Sequence, residues 1–341
     1  MKAIAITRKL PLDHPECFVA LDLPDPVPGP RDLLVKIKAI AVNPVDYKVR
    51  QMRAETDTEP KILGWDAAGV VEAVGNEVSL FRPGDEVYYA GDITRPGSNA
   101  ELQLVDERIA AKKPETLGFA EAAALPLTAI TAWECLFDRL GLTAGDLSQG
   151  KDKALLILGG AGGVGSIGIQ LATTLTGFTV VATASRPETV AWCERMGAHR
   201  VINHRGDWPA ELKELGFPHA DAIACFADTS GHWKAMADAI VPQGTITAIV
   251  ESPDVPDIGL LKPKSATFAW EFMFTRPMFQ TPDMIEQHEL LKEVAALVDA
   301  GRIRTTMREN AGILTPESLA TAHRDLEAGK MIGKRVFETA W

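Results

Sequence analysis

A glycine cluster constrains this chain more than any other feature of its 341 residues. Gly159-Gly160-Ala161-Gly162-Gly163-Val164-Gly165 follows the continuous apolar run Ala154-Leu155-Leu156-Ile157-Leu158 and opens a helical stretch from Gly163 to Leu175. An unbroken apolar run of this length suits a parallel strand covered on both faces. Strand, tight turn and helix start, in that order, build a site for a pyrophosphate. In the GxGxxG pattern Gly160 allows the turn, Gly162 lets backbone approach the phosphates, and Gly165 permits close helix–strand packing. The helix start then offers free N–H groups. Gly160, Gly162, Gly163, Val164 and Gly165 are therefore the candidate cofactor-binding positions.

The surrounding pattern agrees. After the glycine helix come a strand at Phe178 to Thr183, a helix near Pro187 to Met196, and a strand at Arg200 to Ile202. Strands at Asp221 to Phe226 and Thr245 to Val250 follow, with a helix near Gly231 to Ile240 between them. This alternation predicts an α/β Rossmann domain, a doubly wound parallel sheet, over residues 127–276. Residues 1–126 read differently. Leu34-Val35-Lys36-Ile37-Lys38-Ala39 alternates apolar and charged residues, the period-2 sign of a half-buried strand, and Pro and Gly punctuate a β-rich domain. Residues 277–341 hold a helix at Met284 to Ala300, a strand near Thr305, a helix at Pro316 to Glu327 and a last strand at Arg335 to Phe337. That is too little for a third domain, so this segment is expected to return to the first.

Composition removes several function classes. The formal charge of −11 repels a phosphate backbone, so no nucleic-acid partner is expected. No apolar run reaches the length of a membrane span, and Met1 to Thr7 reads as a strand rather than a leader, so a cytoplasmic protein is expected. Cys17, Cys135, Cys193 and Cys225 lie at least 32 positions apart and form no CxxC pair, which leaves buried reduced thiols.

The second strand of such a domain should end near the adenosine ribose, about 20 residues after the glycines. An Asp or Glu there serves NAD. This chain has Thr183-Ala184-Ser185-Arg186, with no carboxylate to repel a 2′-phosphate and a guanidinium able to clamp it. Ser185 and Arg186 thus point to NADPH. Ser185 with Glu188 also spells a helix capping box, and the two roles are compatible.

Further segments carry a resemblance. Ala41-Val42-Asn43-Pro44-Val45-Asp46, Gly64-Trp65-Asp66-Ala67-Ala68-Gly69-Val70-Val71, Phe81-Arg82-Pro83-Gly84-Asp85-Glu86-Val87 and Ala124-Leu125-Pro126-Leu127-Thr128-Ala129-Ile130-Thr131-Ala132 join the glycine loop in a pattern that resembles the medium-chain dehydrogenase/reductase superfamily. Its quinone-oxidoreductase branch is the most similar, especially proteins labelled zinc-type alcohol dehydrogenase-like. The resemblance implies a GroES-like catalytic domain before the Rossmann domain, a small-molecule substrate and a homodimer. It also exposes a departure. Zinc members carry Cys-His-x-Asp and Gly-His-Glu where this chain has Asn43-Pro44-Val45-Asp46 and Gly64-Trp65-Asp66, and no four-cysteine lobe is present. With the thiolate and imidazole gone, no metal is expected.

Hydride transfer without a metal suits a conjugated acceptor, because addition to a quinone or enone gives a delocalised oxyanion that a few donors stabilise. The resemblance implies Asn43 as a pocket donor, Lys48 as a holder or proton donor for that oxyanion, and Thr131 beside the nicotinamide. It also places His204 near the adenosine phosphate. Asn43 as a plain turn residue, Lys48 as a solvated lysine and His204 as a loop residue are the competing readings. Trp65, Phe272 and Phe274 are the candidate substrate contacts, although the Phe268 to Phe279 stretch also reads as core strand or subunit interface. The resulting expectation is an NADPH-dependent quinone or enone reductase. A zinc-type alcohol dehydrogenase and a non-catalytic NADPH-binding protein are the alternatives.

Overall fold

A computed structural model describes residues 1–251 and 256–341. The chain forms two compact units, one of Met1–Leu127 with Phe274–Trp341, the other of Thr128–Met273. The C-terminal segment thus belongs to the N-terminal unit.

The Thr128–Met273 unit is built on a six-stranded sheet in which every neighbouring pair is parallel. Its order is Arg200–Ile202, Thr179–Thr183, Ala154–Leu158, Ala220–Cys225, Ile240–Ala248 and Thr267–Trp270. The strand order turns back between Ala154–Leu158 and Ala220–Cys225, the point at which doubly wound sheets bind ligands beyond the strands' carboxyl ends. Ala154–Leu158 is buried at all five positions, as its apolar run requires. Around Leu156, Val181, Ile223 and Ile246 the core also gathers Trp208 and Trp233.

Two elements of this unit differ from the sequence expectation. Thr267–Trp270 is an edge strand, with Trp270 about half exposed. Trp208–Glu214 is a helix, started by the Asp207 side chain accepting the Ala210 N–H and by Pro209 in its first turn.

The other unit holds a three-stranded sheet and a larger, mainly antiparallel sheet of seven strands. Asp32–Ala41 is the hub of the larger one. It pairs antiparallel with Ala67–Val74, with Leu102–Asp106 and with Lys334–Glu338, the last reaching it from the far end of the chain. Its burial alternates until the last residues, which are buried throughout. The strand expected near Thr305 runs instead over Met307–Ile313, parallel to Lys334–Glu338. The segment after Val42 is a helix, Pro44–Met52, not the turn that Asn43-Pro44 suggests. All four cysteines are buried and free. Among the described residues no helix is long and apolar enough to cross a membrane.

Candidate functional site

The glycine loop sits at the carboxyl end of Ala154–Leu158, and each glycine answers a different constraint. Gly159 makes the turn, with a φ of +83° that a side chain would strain. This corrects the assignment of the turn to Gly160. Gly160 is small for packing, since a Cβ there would lie 2.9 Å from the Ala182 Cβ and 3.0 Å from the Cys193 Sγ. Gly165 is tighter still: its Cβ would come within 2.3 Å of the Gly159 carbonyl oxygen. Gly162 is the exception. A Cβ there would meet only the Gly159 carbonyl oxygen, at 3.6 Å, so the protein itself does not require glycine.

Gly162 is also the N-cap of the helix Gly163–Leu175, which has no side-chain cap hydrogen bond among the described residues. A helix start leaves its first N–H groups unspent and carries positive partial charge. An open approach to a row of free donors is the arrangement that receives a phosphate.

Thr183 ties this loop to the neighbouring strand. Its Oγ1 accepts the Gly159 N–H at 3.0 Å, its carbonyl oxygen accepts the Gly160 N–H at 3.1 Å, and the His204 ring bonds to its backbone as well. Burial first, then His232 and Arg205, hold the His204 imidazole below its usual range. Its buried Nδ1 has no hydrogen-bond partner among the described residues.

Ser185 and Arg186 follow Thr183 and are half-buried. The expected Ser185–Glu188 capping box does not form. Arg186 is the N-cap residue of Pro187–Arg195, its N–H donating to Thr189 Oγ1 at 3.0 Å, because Pro187 moves the helix start one residue on. The Arg186 guanidinium pairs with Glu188 at 2.9 Å, so a 2′-phosphate there would compete with a carboxylate.

The second constellation lies in the other unit, at one end of its large sheet. Asn43 follows the end of Asp32–Ala41, Asp66 precedes the start of Ala67–Val74, and Lys334 begins Lys334–Glu338. The antiparallel pairings Ala67 with Ile40 and Val336 with Ala41 bring the three to one place. Lys334 Nζ donates to the Val42 carbonyl oxygen and to Asp66 Oδ2, both at 2.9 Å, and to Asn43 Oδ1. Asp66 Oδ2 also accepts from Asn43 Nδ2 at 2.8 Å, and Oδ1 accepts the Leu127 N–H at 2.8 Å. The Lys334 and Asp66 side chains are 3% and 0% exposed, so this ion pair is fully desolvated.

Beside it, Asp46 Oδ2 accepts the Asn43 N–H at 2.7 Å, while its buried Oδ1 has no hydrogen-bond partner among the described residues. Burial pushes the Asp46 carboxyl up to about 7, against the pull of the Asn43 N–H and Lys334. Burial raises Asp66 too, opposed chiefly by Lys334.

These residues do not fit the zinc that the family's names imply. Zinc sites take thiolates, imidazoles and carboxylates. Here Asn43 offers an amide whose oxygen Lys334 already occupies, and Trp65 offers only a donor, spent on the Asp92 carbonyl oxygen at 3.2 Å. Asp66 is saturated by three donors, one of them an ammonium that would repel a second cation. Among the described residues no group of three or more His, Cys, Asp or Glu is placed to hold a metal.

The remaining expected residues are scattered. Lys48 lies on Pro44–Met52 and is half-buried. Thr131 is buried on the helix Pro126–Trp133. Trp65 and Phe274, expected as substrate contacts, are core residues packed edge to face at 6.2 Å. Their apolar surface is consumed by packing, which leaves Phe272, partly exposed in the other unit, as the accessible member of the three. Asn43 does not stand ready as a donor: its Nδ2 is committed to Asp66 and to backbone carbonyls. Sequence reasoning missed Lys334 altogether, and it treated Asp66 only as the relic of a lost ligand.

Comparison with known proteins places the chain. A model of the alcohol dehydrogenase GroES-like domain matches residues 29–128, and one described as zinc-binding dehydrogenase matches residues 196–337. A zinc-type alcohol dehydrogenase-like protein of Staphylococcus aureus is 45% identical over 98% of this chain and 99% of its own. An NADPH-dependent alkenal/one oxidoreductase of Arabidopsis thaliana is 34% identical over 65% of this chain and 59% of its own. A solved protein of Rhizobium etli, described as a zinc-dependent alcohol dehydrogenase, is 48% identical with a TM-score of 0.91, covering 99% and 98% of the two chains.

Proposed function

Because the chain belongs to the medium-chain dehydrogenase/reductase superfamily, and is an oxidoreductase of that family, we propose that it reduces quinones or α,β-unsaturated carbonyls with NADPH and without a metal. The observation that carries this reading is the Asn43–Asp66–Lys334 cluster, whose donors leave no place for a Lewis acid. An alcohol needs such an acid, or a base, to lose its proton as hydride departs. A conjugated carbonyl instead takes hydride at its β-carbon and a proton at oxygen or the α-carbon. The Arabidopsis relative, by its name, works with NADPH on alkenals and alkenones.

The residues divide the work. The amides of Gly163 to Gly165 bind the pyrophosphate, and Gly162 leaves it room. Arg186 and Ser185 meet the 2′-phosphate, with His204 at the same strand end. The nicotinamide supplies the hydride when bound. Thr131 packs beside the ring, and Lys48 holds the substrate oxygen and donates the balancing proton.

A panel measuring NADPH and NADH oxidation with quinones, enones and saturated aldehydes tests the reading. Turnover with NADPH and conjugated acceptors is expected. Preference for NADH removes the Arg186 argument, and turnover of saturated aldehydes alone removes conjugate reduction. Replacing Arg186 by Ala should weaken NADPH binding about tenfold and leave NADH binding unchanged, read by fluorescence titration.

A further inference from the structure

We propose that the Lys334 ammonium is this chain's built-in cation: it occupies the buried Asp66 carboxylate, keeps divalent ions from it, and through Asp66 sets the start of the helix that carries Thr131. An ammonium has three donors and no acceptor. Here three acceptors meet it, the Val42 carbonyl, the Asn43 amide oxygen and the Asp66 carboxylate, so the charge is both paired and fully hydrogen-bonded. Lys334 itself is only 2% exposed. A divalent ion binding Asp66 would have to take it from Lys334 and leave an ammonium buried without a counter-charge, which is far costlier than either filled state.

The other oxygen of Asp66 has its own task. Pro126 opens the helix Pro126–Trp133 and has no N–H, so the first amide of that helix belongs to Leu127. It donates to Asp66 Oδ1 at 2.8 Å, which puts carboxylate charge against the positive end of the helix. Lys334 orients Asp66, Asp66 fixes the first turn, and Thr131 stands one turn further along. Lys334 is thus a positioning residue. This last link rests on the role given to Thr131 above, whereas the cation argument stands without it.

The test compares the full-length wild type, Lys334→Met, and a double variant with Lys334→Gln and Asp66→Asn. The double variant keeps a hydrogen-bonding amide at each end but removes both charges. Each protein is incubated with excess zinc chloride, desalted, and assayed for bound zinc, melting temperature, NADPH affinity and turnover. The wild type should retain no stoichiometric zinc. Lys334→Met should melt several degrees lower, because Asp66 is left buried and unpaired. The double variant should recover the melting temperature and NADPH affinity, yet show kcat at least about tenfold below wild type, as misplacement of a catalytic element does.

Stoichiometric zinc in the wild type overturns the exclusion of divalent ions. A double variant with wild-type kcat overturns the positioning role. If the double variant does not fold, Lys334→Arg, which keeps the charge, should restore the turnover lost in Lys334→Met, and a natively melting Arg variant without that rescue overturns the role instead. Should the wild type turn over no acceptor at all, the reductase reading falls alone. Zinc content still judges the cation, and hydrogen exchange at Leu127 judges the helix: faster exchange in Lys334→Met supports the proposal, and unchanged exchange overturns it.

Discussion

The two constellations of this molecule are built on opposite principles. The glycine loop of the Thr128–Met273 unit works through backbone amides, with residues adjacent in sequence and side chains deleted to make room. The charged cluster of the other unit works through side chains, and its two ends, Asp66 and Lys334, are 268 positions apart. The backbone site is limited by added atoms, at Gly160 and Gly165 by the protein's own packing, whereas the side-chain site is limited by missing charge. The zinc that the names of its relatives carry finds no fitting ligand set in the second site. The loop meanwhile keeps every glycine.

The sharpest way to break this comparison is to add atoms to the loop. Gly165→Val should destabilise the protein by about 3 kcal/mol or more, since its side chain meets backbone at 2.3 Å that cannot give way. Thermal melting decides, and a native melt would mean the loop is softer than its contacts indicate. Gly162→Ala refines the same contrast. The space is open, so melting should stay native while NADPH affinity falls about 10- to 100-fold, or roughly 1.4–2.7 kcal/mol. Unchanged affinity would show that no ligand approaches there.

The smallest effect lies in the charged cluster. An unfolded chain loses the Asp46 proton near pH ~3.9, whereas the folded protein holds it to about 7. Between those values the unfolded state binds fewer protons, so wild-type stability falls as pH rises from about 4 to about 7, and this contribution is level above. Asp46→Asn lacks this slope. Its melting temperature relative to wild type should climb across that window and then plateau, a gain of about 1–2 kcal/mol after allowing for the unpaired amide it introduces. A difference independent of pH would place the Asp46 charge elsewhere.

What the sequence made readable follows from the same contrast. The parallel sheet and its loop are announced locally, by the all-apolar run at Ala154–Leu158 and the glycines after it. The helix Pro44–Met52 was signalled too: Asn43 with Asp46 three residues later, and Pro44 at the first helical position, is a capping pattern that the Asn-Pro turn reading hid. Ser185 misled in the reverse sense, because its spacing to Glu188 spells a cap that Arg186 and Thr189 actually make. Trp65 and Phe274 looked like a binding surface because aromatics suit both cores and pockets, and only packing separates the two. Lys334 had no local signal. A lysine opening a short strand is ordinary, and its meaning comes entirely from the pairing of that strand with Asp32–Ala41.

That pairing has a consequence for the order in which the protein can be made. A ribosome delivers Asp66 long before Lys334, and at about 5–20 residues per second the interval is roughly 13–54 s. Throughout it the nascent Asp32–Ala41 strand lacks one of its neighbours, an unpaired edge that other chains can join. A chain cut short ahead of Lys334 leaves Ala39–Ala41 without that neighbour, so closure of the sheet waits on a strand that begins 268 positions after Asp66.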